Sequence, residues 1–333
     1  MKLELIAFTR RGEALAEKLS GLLCRTGHQA ACTREGLRVE DWAVRAFQRS
    51  EGLVFVGAAG IAVRAIAPCV RHKSLDPAVV VLDEGGQFVI PILSGHLGGA
   101  NDLAREIAGL LDAQAVITTA TDVNGVFSVD QWARRQNLAV CNPQKILAVS
   151  SDLLAGKSVT VWSRWPVAGQ APAGLCPAGR EEAQVVVDWV RPGAETLWLC
   201  PRTIRLGMGC RRGTAVETLE QAALAALDGV GLPQQGVSRI CTIDRKGDEP
   251  GLLALCQAWK IPLTTYSEEE LAGVPGEFPA SEFVRQITGV DNVCQRAALA
   301  EGGELLMEKR ILADGVTAAL AALPPRLTWE EKQ

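Results

Sequence analysis

Short apolar runs alternate with segments of helical periodicity along the first half of the chain. Leucine and isoleucine fall on one face of residues 100–111, at positions 103, 107, 110 and 111, which predicts an amphipathic helix. Apolar runs at 79–82 and 88–93 flank the link Asp83-Glu84-Gly85-Gly86, where glycine permits a tight turn, so we predict a β-hairpin. The other predicted elements here are strands at 3–8, 53–56 and 116–119 and helices over 12–23 and 61–67. This alternation is typical of a sheet covered by helices.

Residues 141–202 have a different texture. Three short apolar runs, at 158–162, 185–189 and 196–199, are separated by links rich in proline and glycine. This spacing indicates a small, mainly β region.

The last third returns to the α/β pattern. A strand at 203–206 leads through a glycine-rich turn, residues 207–213, into a helix over 214–227. The later elements are strands at 239–243 and 263–266, a helix over 250–260, and a helix that Ser267 caps ahead of three glutamates. The expected fold is therefore α/β, with an N-terminal α/β sandwich domain at 1–138, a middle domain at 139–201 and a C-terminal α/β domain at 202–325.

Charge and hydropathy exclude several classes of partner. The net charge of −4 provides no overall basic field, so nucleic acid is not an expected partner. The apolar run at the start of the sequence is too short for a signal peptide, and the longest uncharged apolar-rich run, 53–63, is far below the roughly 18 residues of a membrane span. We therefore expect a cytoplasmic protein without membrane contact.

Cysteine and histidine positions bear on metal binding. None of the ten cysteines forms a CxxC pair, and the three histidines, His28, His72 and His96, lie far apart in the sequence. These patterns predict free thiols in a reducing compartment and no protein-built zinc site. If a metal takes part, we expect the substrate to bring it.

The segment GAAGIAVR, residues 57–64, is the first candidate site. A strand that runs through small residues into a helix exposes backbone N–H groups able to hold a carboxylate or phosphate, at Gly57, Gly60 and Ile61, and Arg64 adds a cation. The segment fits neither a P-loop nor the GxGxxG spacing of dinucleotide-binding proteins. A tight turn that binds nothing remains the alternative.

The segment SGHLGGAND, residues 94–102, is the second candidate. His96 follows a predicted strand end, where α/β proteins place their ligands, and histidine is the usual general base near neutral pH. Gly98 and Gly99 allow a bulky substrate to approach the backbone, while Ser94 and Asn101 offer polar groups. A histidine that only makes local hydrogen bonds is the competing interpretation.

Further candidates carry isolated charges or hydroxyl groups. Glu84 lies in the hairpin turn, and Thr119 and Asp122 follow a predicted strand, where they suit either a ligand or a helix cap. Basic candidates are Lys73, Arg211 and Arg212, the last two in the turn that also contains Gly209. Cations and backbone N–H groups converge in that turn on a space the size of an anion.

These segments together resemble a known family. The run HKSLDPAVVVLDEGGQFVIPILSGHLGGANDLAREIA, with GAAGIAVRAIAP before it and VITTATD after it, closely resembles the N-terminal domain of CbiG proteins. LGMGCRRGT, DRKGDEPGL and SEFVRQITGVDNVCQRAAL resemble the CbiG C-terminal domain, which is shared with the stand-alone protein CobE. The resemblance spans nearly the whole chain. One departure is Ala58-Ala59, where the family more often has Met-Gly; both keep the turn small.

The resemblance implies a reaction and a substrate. CbiG proteins are cobalt-precorrin-5A hydrolases of anaerobic cobalamin biosynthesis, which open a δ-lactone, release acetaldehyde and yield cobalt-precorrin-5B. The cobalt would then belong to the substrate and no separate cofactor is expected. A homodimer and transient contacts with neighbouring enzymes of the pathway stay open.

Roles for the candidate residues follow as hypotheses. His96 would act as general base, with Glu84 or Asp122 as a second acid or base and Ser94 as a less favoured covalent nucleophile. N–H groups at 57–61 or at Gly98 and Gly99 would stabilise an oxyanion, while Arg64, Lys73, Arg211 and Arg212 would hold the substrate's peripheral carboxylates.

Two other functions compete with this one. The first is a corrinoid carrier without chemistry of its own, which the stand-alone form of the C-terminal domain suggests. The second is an unrelated nucleotide-binding enzyme, against which the missing phosphate-binding fingerprints already count.

Overall fold

The structure, a computed structural model, describes residues 1–33, 38–72, 75–279, 285–286, 289–312 and 315–330. The chain forms two compact units. Residues 1–134 with 153–155 make up the first, and residues 135–152 with the described residues from 156 onward make up the second. Both units are α/β, which confirms the predicted fold class. The boundaries at residues 138 and 201 stay a prediction.

The first unit is built on a six-stranded sheet in the described part of the chain. Its strands are β1 (Lys2–Ala7), β2 (Gln29–Cys32), β3 (Gly52–Val56), β4 (Ala78–Leu82), β5 (Phe88–Leu93) and β6 (Gln114–Ala115). Their order is β2-β1-β3-β4-β5-β6. β1 to β4 are parallel, β5 is antiparallel to β4, and β6 is parallel to β5. The carboxyl ends of β5 and β6 therefore lie at the edge from which β3 and β4 start.

Helices cover both faces of this sheet. They are α1 (Arg10–Arg25), α2 (Val39–Arg49), α3 (Ala59–Ile66), α4 (Ala100–Leu111), α5 (Ala120–Val123) and α6 (Val129–Arg135). Val54 of β3 packs in the core that contains α1 and α4, and its neighbour Phe55 packs in the core that contains α2 and α3. Because successive strand residues face opposite sides, β3 and β4 need apolar residues at every position.

The elements predicted in this unit are confirmed with one exception, but β2, α2 and α6 were not predicted. The β4–β5 hairpin and the bounds of α4 are confirmed. The strand predicted at 116–119 is wrong, because the strand is β6 and residues 116–119 lie outside regular elements. Val116 still donates one backbone hydrogen bond to Val89 (2.8 Å), after which the chain leaves the sheet and enters α5.

The second unit contains two five-stranded sheets among its described residues. The strands of the first are β7 (Leu138–Val140), β8 (Val159–Ser163), β10 (Leu175–Pro177), β11 (Val185–Val187) and β12 (Leu197–Pro201), in the order β10-β8-β11-β12-β7. The strands of the second are β13 (Ile204–Gly209), β14 (Val237–Ile243), β15 (Leu263–Tyr266), β16 (Glu304–Ile311) and β17 (Thr317–Ala322), in the order β15-β14-β13-β17-β16. Two short strands, β9 (Val167–Ala168) and β18 (Leu327–Thr328), pair with each other.

Further helices in the described part of the chain are α7 (Ile146–Leu154), α8 (Val216–Asp228), α9 (Pro250–Trp259), α10 (Glu268–Ala272) and α11 (Val293–Leu299). Ser267 caps α10 as predicted, since its side chain accepts from the Glu270 N–H while the Glu270 side chain accepts from the Ser267 N–H.

The predicted glycine-rich turn at 207–213 is wrong in its first part. Gly207 and Gly209 lie within β13, and the turn begins only at Cys210. Gly207 serves close packing, because a Cβ atom there would lie 1.8 Å from the Cys294 carbonyl oxygen of α11. A glycine inside a strand often marks such an approach of two backbones.

Candidate active site

Two polar segments meet at the carboxyl ends of β5 and β6. The loop of residues 94–99 leaves β5 and carries His96, and α5 follows β6 and carries Asp122. Because β5 and β6 are parallel neighbours, both segments emerge at the same edge of the sheet. This is the part of an α/β sheet where ligands usually bind.

His96 lies between two carboxylates. Its Nε2 atom is 2.9 Å from Oδ2 of Asp122, and its Nδ1 atom is 3.2 Å from Oδ1 of Asp130. Ser128 Oγ lies 3.2 Å from the same Nδ1 and donates a hydrogen bond to Asp130 Oδ1 (2.8 Å). The imidazole is largely buried, with 15% of its side chain exposed. Both ring nitrogens thus face acceptors, an arrangement that suits a ring protonated on both.

The charge of His96 follows from these neighbours. Burial lowers its pKa, but the hydrogen bond and charge of Asp130, and then those of Asp122, outweigh burial and raise the pKa to about 9. Burial raises the pKa of each aspartate, yet bonding to His96 leaves both below the ordinary value, with Arg105 contributing at Asp122. At neutral pH the group is therefore a carboxylate–imidazolium–carboxylate cluster.

Helix α4 holds Asp122 from a second direction. Asn101, which is 2% exposed, donates through Nδ2 to Asp122 Oδ2 and to Thr119 Oγ1, both at 3.0 Å. Arg105 donates to the other oxygen of Asp122. The alternative role of Thr119 as a helix cap is not observed, since its side chain makes no cap hydrogen bond although it stands at the N-cap position of α5.

The predicted anion turn lies elsewhere in the first unit. Gly57 follows β3, and Glu84 lies in the β4–β5 hairpin, so both are at the carboxyl ends of the parallel strands. His96 lies at the opposite edge, because β5 runs antiparallel to β4. N–H groups at 57–61 and Glu84 are therefore separated from His96 by the length of the strands, and the hypothesis that they act together with it stays a prediction.

Two of the N–H groups expected to bind an anion are already bonded. The Gly57 N–H donates to Leu82 O (2.8 Å), and the Ile61 N–H donates to Ala58 O (3.0 Å). Gly60 lies in the first turn of α3, and Arg64 is exposed on the same helix. Lys73 lies outside the described residues.

The loop around His96 is closely packed. Ser94 has φ +56°, and its Oγ atom is buried without a hydrogen-bond partner among the described residues. A covalent nucleophile needs a base in contact with its hydroxyl group, and no described base contacts the Ser94 hydroxyl. A Cβ atom at Gly98 would lie 2.4 Å from the Ser94 Cβ. At Gly99, where φ is +85°, a Cβ atom would lie 2.1 Å from the Arg134 guanidinium carbon.

The basic candidates of the last third belong to the second unit. Arg211 is exposed, whereas Arg212 donates to both oxygens of Asp248 at 3.2 Å. Gly213, at the end of that turn, donates its N–H to the fully buried Glu249 (2.7 Å). An open groove of about 850 Å³ in this unit is lined by other residues, among them Asn142, Arg191 and Trp198.

The sequence reasoning missed the inner half of the cluster. Ser128 and Asp130 were not singled out, and neither was Arg105, which lies outside this inner half in the quoted segment GGANDLAREIA. Asp130 is 34 residues from His96 and belongs to no motif, so only the fold joins them. The one signal in the sequence was the position of Asp130, a carboxylate that follows the candidate segments at 94–102 and at Thr119 and Asp122.

Two searches of the described residues bear on metals and membranes. They hold no group of three or more His, Cys, Asp or Glu side chains arranged to hold a metal ion. None of the helices in the described ranges has the length and apolarity needed to cross a membrane.

Comparisons with known proteins place this site in a family context. The chain matches the family "Cobalamin synthesis G N-terminal" at residues 41–122, "Cobalamin biosynthesis central region" at 127–201 and "Cobalamin synthesis G C-terminus" at 204–321. It is 35% identical to the cobalt-precorrin-5A hydrolase of Salmonella typhimurium, over 95% of this chain and 96% of that one. It is 32% identical to the cobalt-precorrin-5A hydrolase of Priestia megaterium, over 84% and 80%. Protein CobE of Sinorhizobium sp is 31% identical over 38% of this chain and 84% of its own length.

Proposed function

The chain belongs to the cobalamin synthesis G (CbiG) family, and on that basis we propose that it is a cobalt-precorrin-5A hydrolase. The observation that carries the proposal is the match at 35% identity over 95% of the chain. The relatives that align along most of the chain are named as hydrolases, which does not favour the carrier hypothesis.

The proposed reaction has two stages. Water adds to the carbonyl carbon of the δ-lactone and the ring C–O bond breaks. The water gives up both protons to solvent as the carboxylate forms, and the released oxygen takes one proton from the enzyme. The carbon–carbon bond beside that oxygen then breaks, the oxygen loses its proton, and acetaldehyde leaves while the electron pair of the broken bond stays on the macrocycle. The product is cobalt-precorrin-5B.

His96 can serve both stages with one proton. A pKa of about 9 keeps the ring charged at neutral pH, so the ring does not accept a proton in the resting state. The sequence had suggested a general base. We assign it instead as the acid that protonates the released oxygen. The neutral ring then takes the proton back when acetaldehyde forms. Asp122 and Asp130 stabilise the charged ring between turnovers.

Binding of the substrate is assigned to exposed cations of the chain. Arg64 and Arg211 are exposed and suited to the substrate's peripheral carboxylates, and Arg212 can join them only by leaving Asp248. Gly98 and Gly99 lie in the loop beside His96, whereas Asn101 of α4 holds Asp122. We also propose that the chain needs no cofactor of its own, the cobalt being part of the substrate. A cytoplasmic location, a homodimer and contacts with neighbouring enzymes stay predictions.

The test is release of acetaldehyde from cobalt-precorrin-5A by the purified full-length chain. We expect His96→Gln to slow release by about 10²- to 10⁴-fold, the usual contribution of a positioned acid. His28→Gln is the matched control, because His28 also pairs with a carboxylate of the first unit, Glu106 at 3.0 Å. Equal rates for wild type and His96→Gln would remove His96 from the mechanism, and tight binding of the substrate without turnover would contradict the hydrolase.

A further inference from the structure

Asp130 stands apart from the other carboxylates near His96. It lies at the start of α6 and is 8% exposed. Its Oδ1 atom accepts from Ser128 Oγ (2.8 Å) and from the Gln131 N–H (3.1 Å), and lies 3.2 Å from His96 Nδ1. Three groups therefore fix one oxygen of this carboxylate, so its position relative to the ring is rigid.

The other two carboxylates near His96 pair with arginine side chains. Asp122, from α5, also pairs with Arg105 of α4, and Asp102 of α4 pairs with Arg105 (3.4 Å) and with Arg134 of α6 (2.8 Å). Among the described residues, the only cation paired with Asp130 is His96. A buried carboxylate is costly unless a cation pairs with it, so the charge of Asp130 and that of His96 depend on each other.

The two ring nitrogens also differ in their surroundings. Nδ1 faces Ser128 and Asp130, which are both buried. Nε2 faces Asp122, whose second partner, Arg105, has 43% of its side chain exposed. The Nε2 side therefore leads through Asp122 to an exposed guanidinium, whereas Ser128 and Asp130 close the Nδ1 side.

We propose that Asp130 is a positioning residue that, with Ser128, holds His96 Nδ1 as a hydrogen-bond donor, so that Nε2 is the nitrogen that exchanges a proton with the substrate once the substrate oxygen replaces Asp122 Oδ2 beside it. The hydrogen bond at one ring nitrogen decides which proton the other carries. Asp130 also fixes the plane of the ring, and it does so without touching the substrate. This inference rests on the proposed function for its kinetic consequence, but its structural part can be measured without substrate.

Asp130→Asn in the full-length chain is the decisive variant, because it retains an acceptor oxygen and removes the charge. The ring ¹⁵N signals of the three histidines report tautomer and pKa by NMR, and His96→Gln identifies the His96 signals. We expect Asp130→Asn to lower the His96 pKa by about one to three units, the usual effect of losing an adjacent opposite charge. Ser128→Ala, a smaller change, should shift it in the same direction by less. Glu106→Gln, which removes the carboxylate beside His28, is the matched control and should leave His96 unchanged.

Kinetics separate positioning from general support of the fold. We expect Asp130→Asn to lower kcat at least about tenfold with little change in KM, and to move the high-pH limb of kcat down by the same interval as the His96 pKa. A loss of kcat without movement of that limb, or an unchanged His96 pKa in both Asp130→Asn and Ser128→Ala, would overturn the proposal. If wild type released no acetaldehyde while the His96 pKa still moved, the proposed function would fail and the positioning by Asp130 would stand.

Discussion

Gly99→Ala tests how tightly the loop beside His96 is packed. Gly99 precedes α4 with φ +85°, and a Cβ atom there would lie 2.1 Å from the Arg134 guanidinium carbon and 2.2 Å from its NH2 atom. The guanidinium would have to move by more than about 1 Å to reach an ordinary contact distance. That movement would disturb its 2.8 Å ion pair with Asp102.

Gly125 provides the matched control. It also has a left-handed backbone, with φ +63°, but a Cβ atom there would meet nothing within 4 Å. Alanine at either position costs about 1 kcal/mol for the backbone conformation. Moving the Arg134 guanidinium away from Asp102 adds up to about 1 kcal/mol at Gly99 alone, the usual worth of a partly exposed ion pair. We therefore expect destabilisation of about 1 kcal/mol for Gly125→Ala and about 2 kcal/mol for Gly99→Ala.

Equilibrium urea unfolding measures both values, and hydrogen exchange of the α4 amides assigns the transition to the first unit. A double-mutant cycle sharpens the test: in an Arg134→Ala background, the cost of Gly99→Ala should fall to that of Gly125→Ala. Equal destabilisation by the two glycine substitutions in the wild-type background, or an unchanged cost without Arg134, would refute the argument.

Three other predictions follow from the packing and charges. The pKa of His96 is about 9 in the folded protein, against an ordinary value of 6.5, so its protonation contributes up to about 3 kcal/mol of stability; this contribution is fully present below pH 6.5 and is lost as pH rises through 9. Urea unfolding should therefore show that the difference in free energy of unfolding between wild type and His96→Gln shrinks as pH rises. A difference that stays constant with pH would contradict this. Gly207→Ala should lower the free energy of unfolding by about 3 kcal/mol or prevent folding, because the new Cβ atom would meet the Cys294 carbonyl oxygen. Gly209→Ala would meet only the Thr317 side chain and should destabilise the protein less. Thermal unfolding of the two variants compares these effects. Ser267→Ala removes the α10 capping box and should cost about 1 kcal/mol, which faster exchange of the α10 amides would report.

Elements set by local pattern could be predicted from the sequence, and the assembly of the site could not. α4 and the β4–β5 hairpin depend on apolar spacing and turn residues within about 15 positions, so both could be predicted from the sequence. The structure confirms both. The hairpin itself implied that β5 runs back across the sheet. Because β5 is antiparallel to β4, Gly57 and His96 lie at opposite ends of the strands. The sequence hypothesis that joined them did not take this reversal into account.

The inner half of the cluster depends on tertiary structure. Asp130 and Ser128 reach His96 only because the start of α6 lies beside the loop that follows β5, and the sequence separation of more than 30 residues leaves no local signal. The protonation of His96 was likewise hidden, because a lone histidine in a loop predicts a base of ordinary pKa until its two carboxylate neighbours are known. The family resemblance supplied the substrate, which no spacing or composition could indicate.

The most direct test of the account is the stoichiometry of acetaldehyde release by the purified full-length chain. Cobalt-precorrin-5A is supplied in excess, and its loss and the acetaldehyde formed are measured in the same sample. The account predicts one acetaldehyde for each cobalt-precorrin-5A consumed, over many turnovers and without an added cofactor. Substrate that binds and stays intact, or that is consumed without acetaldehyde, would contradict it.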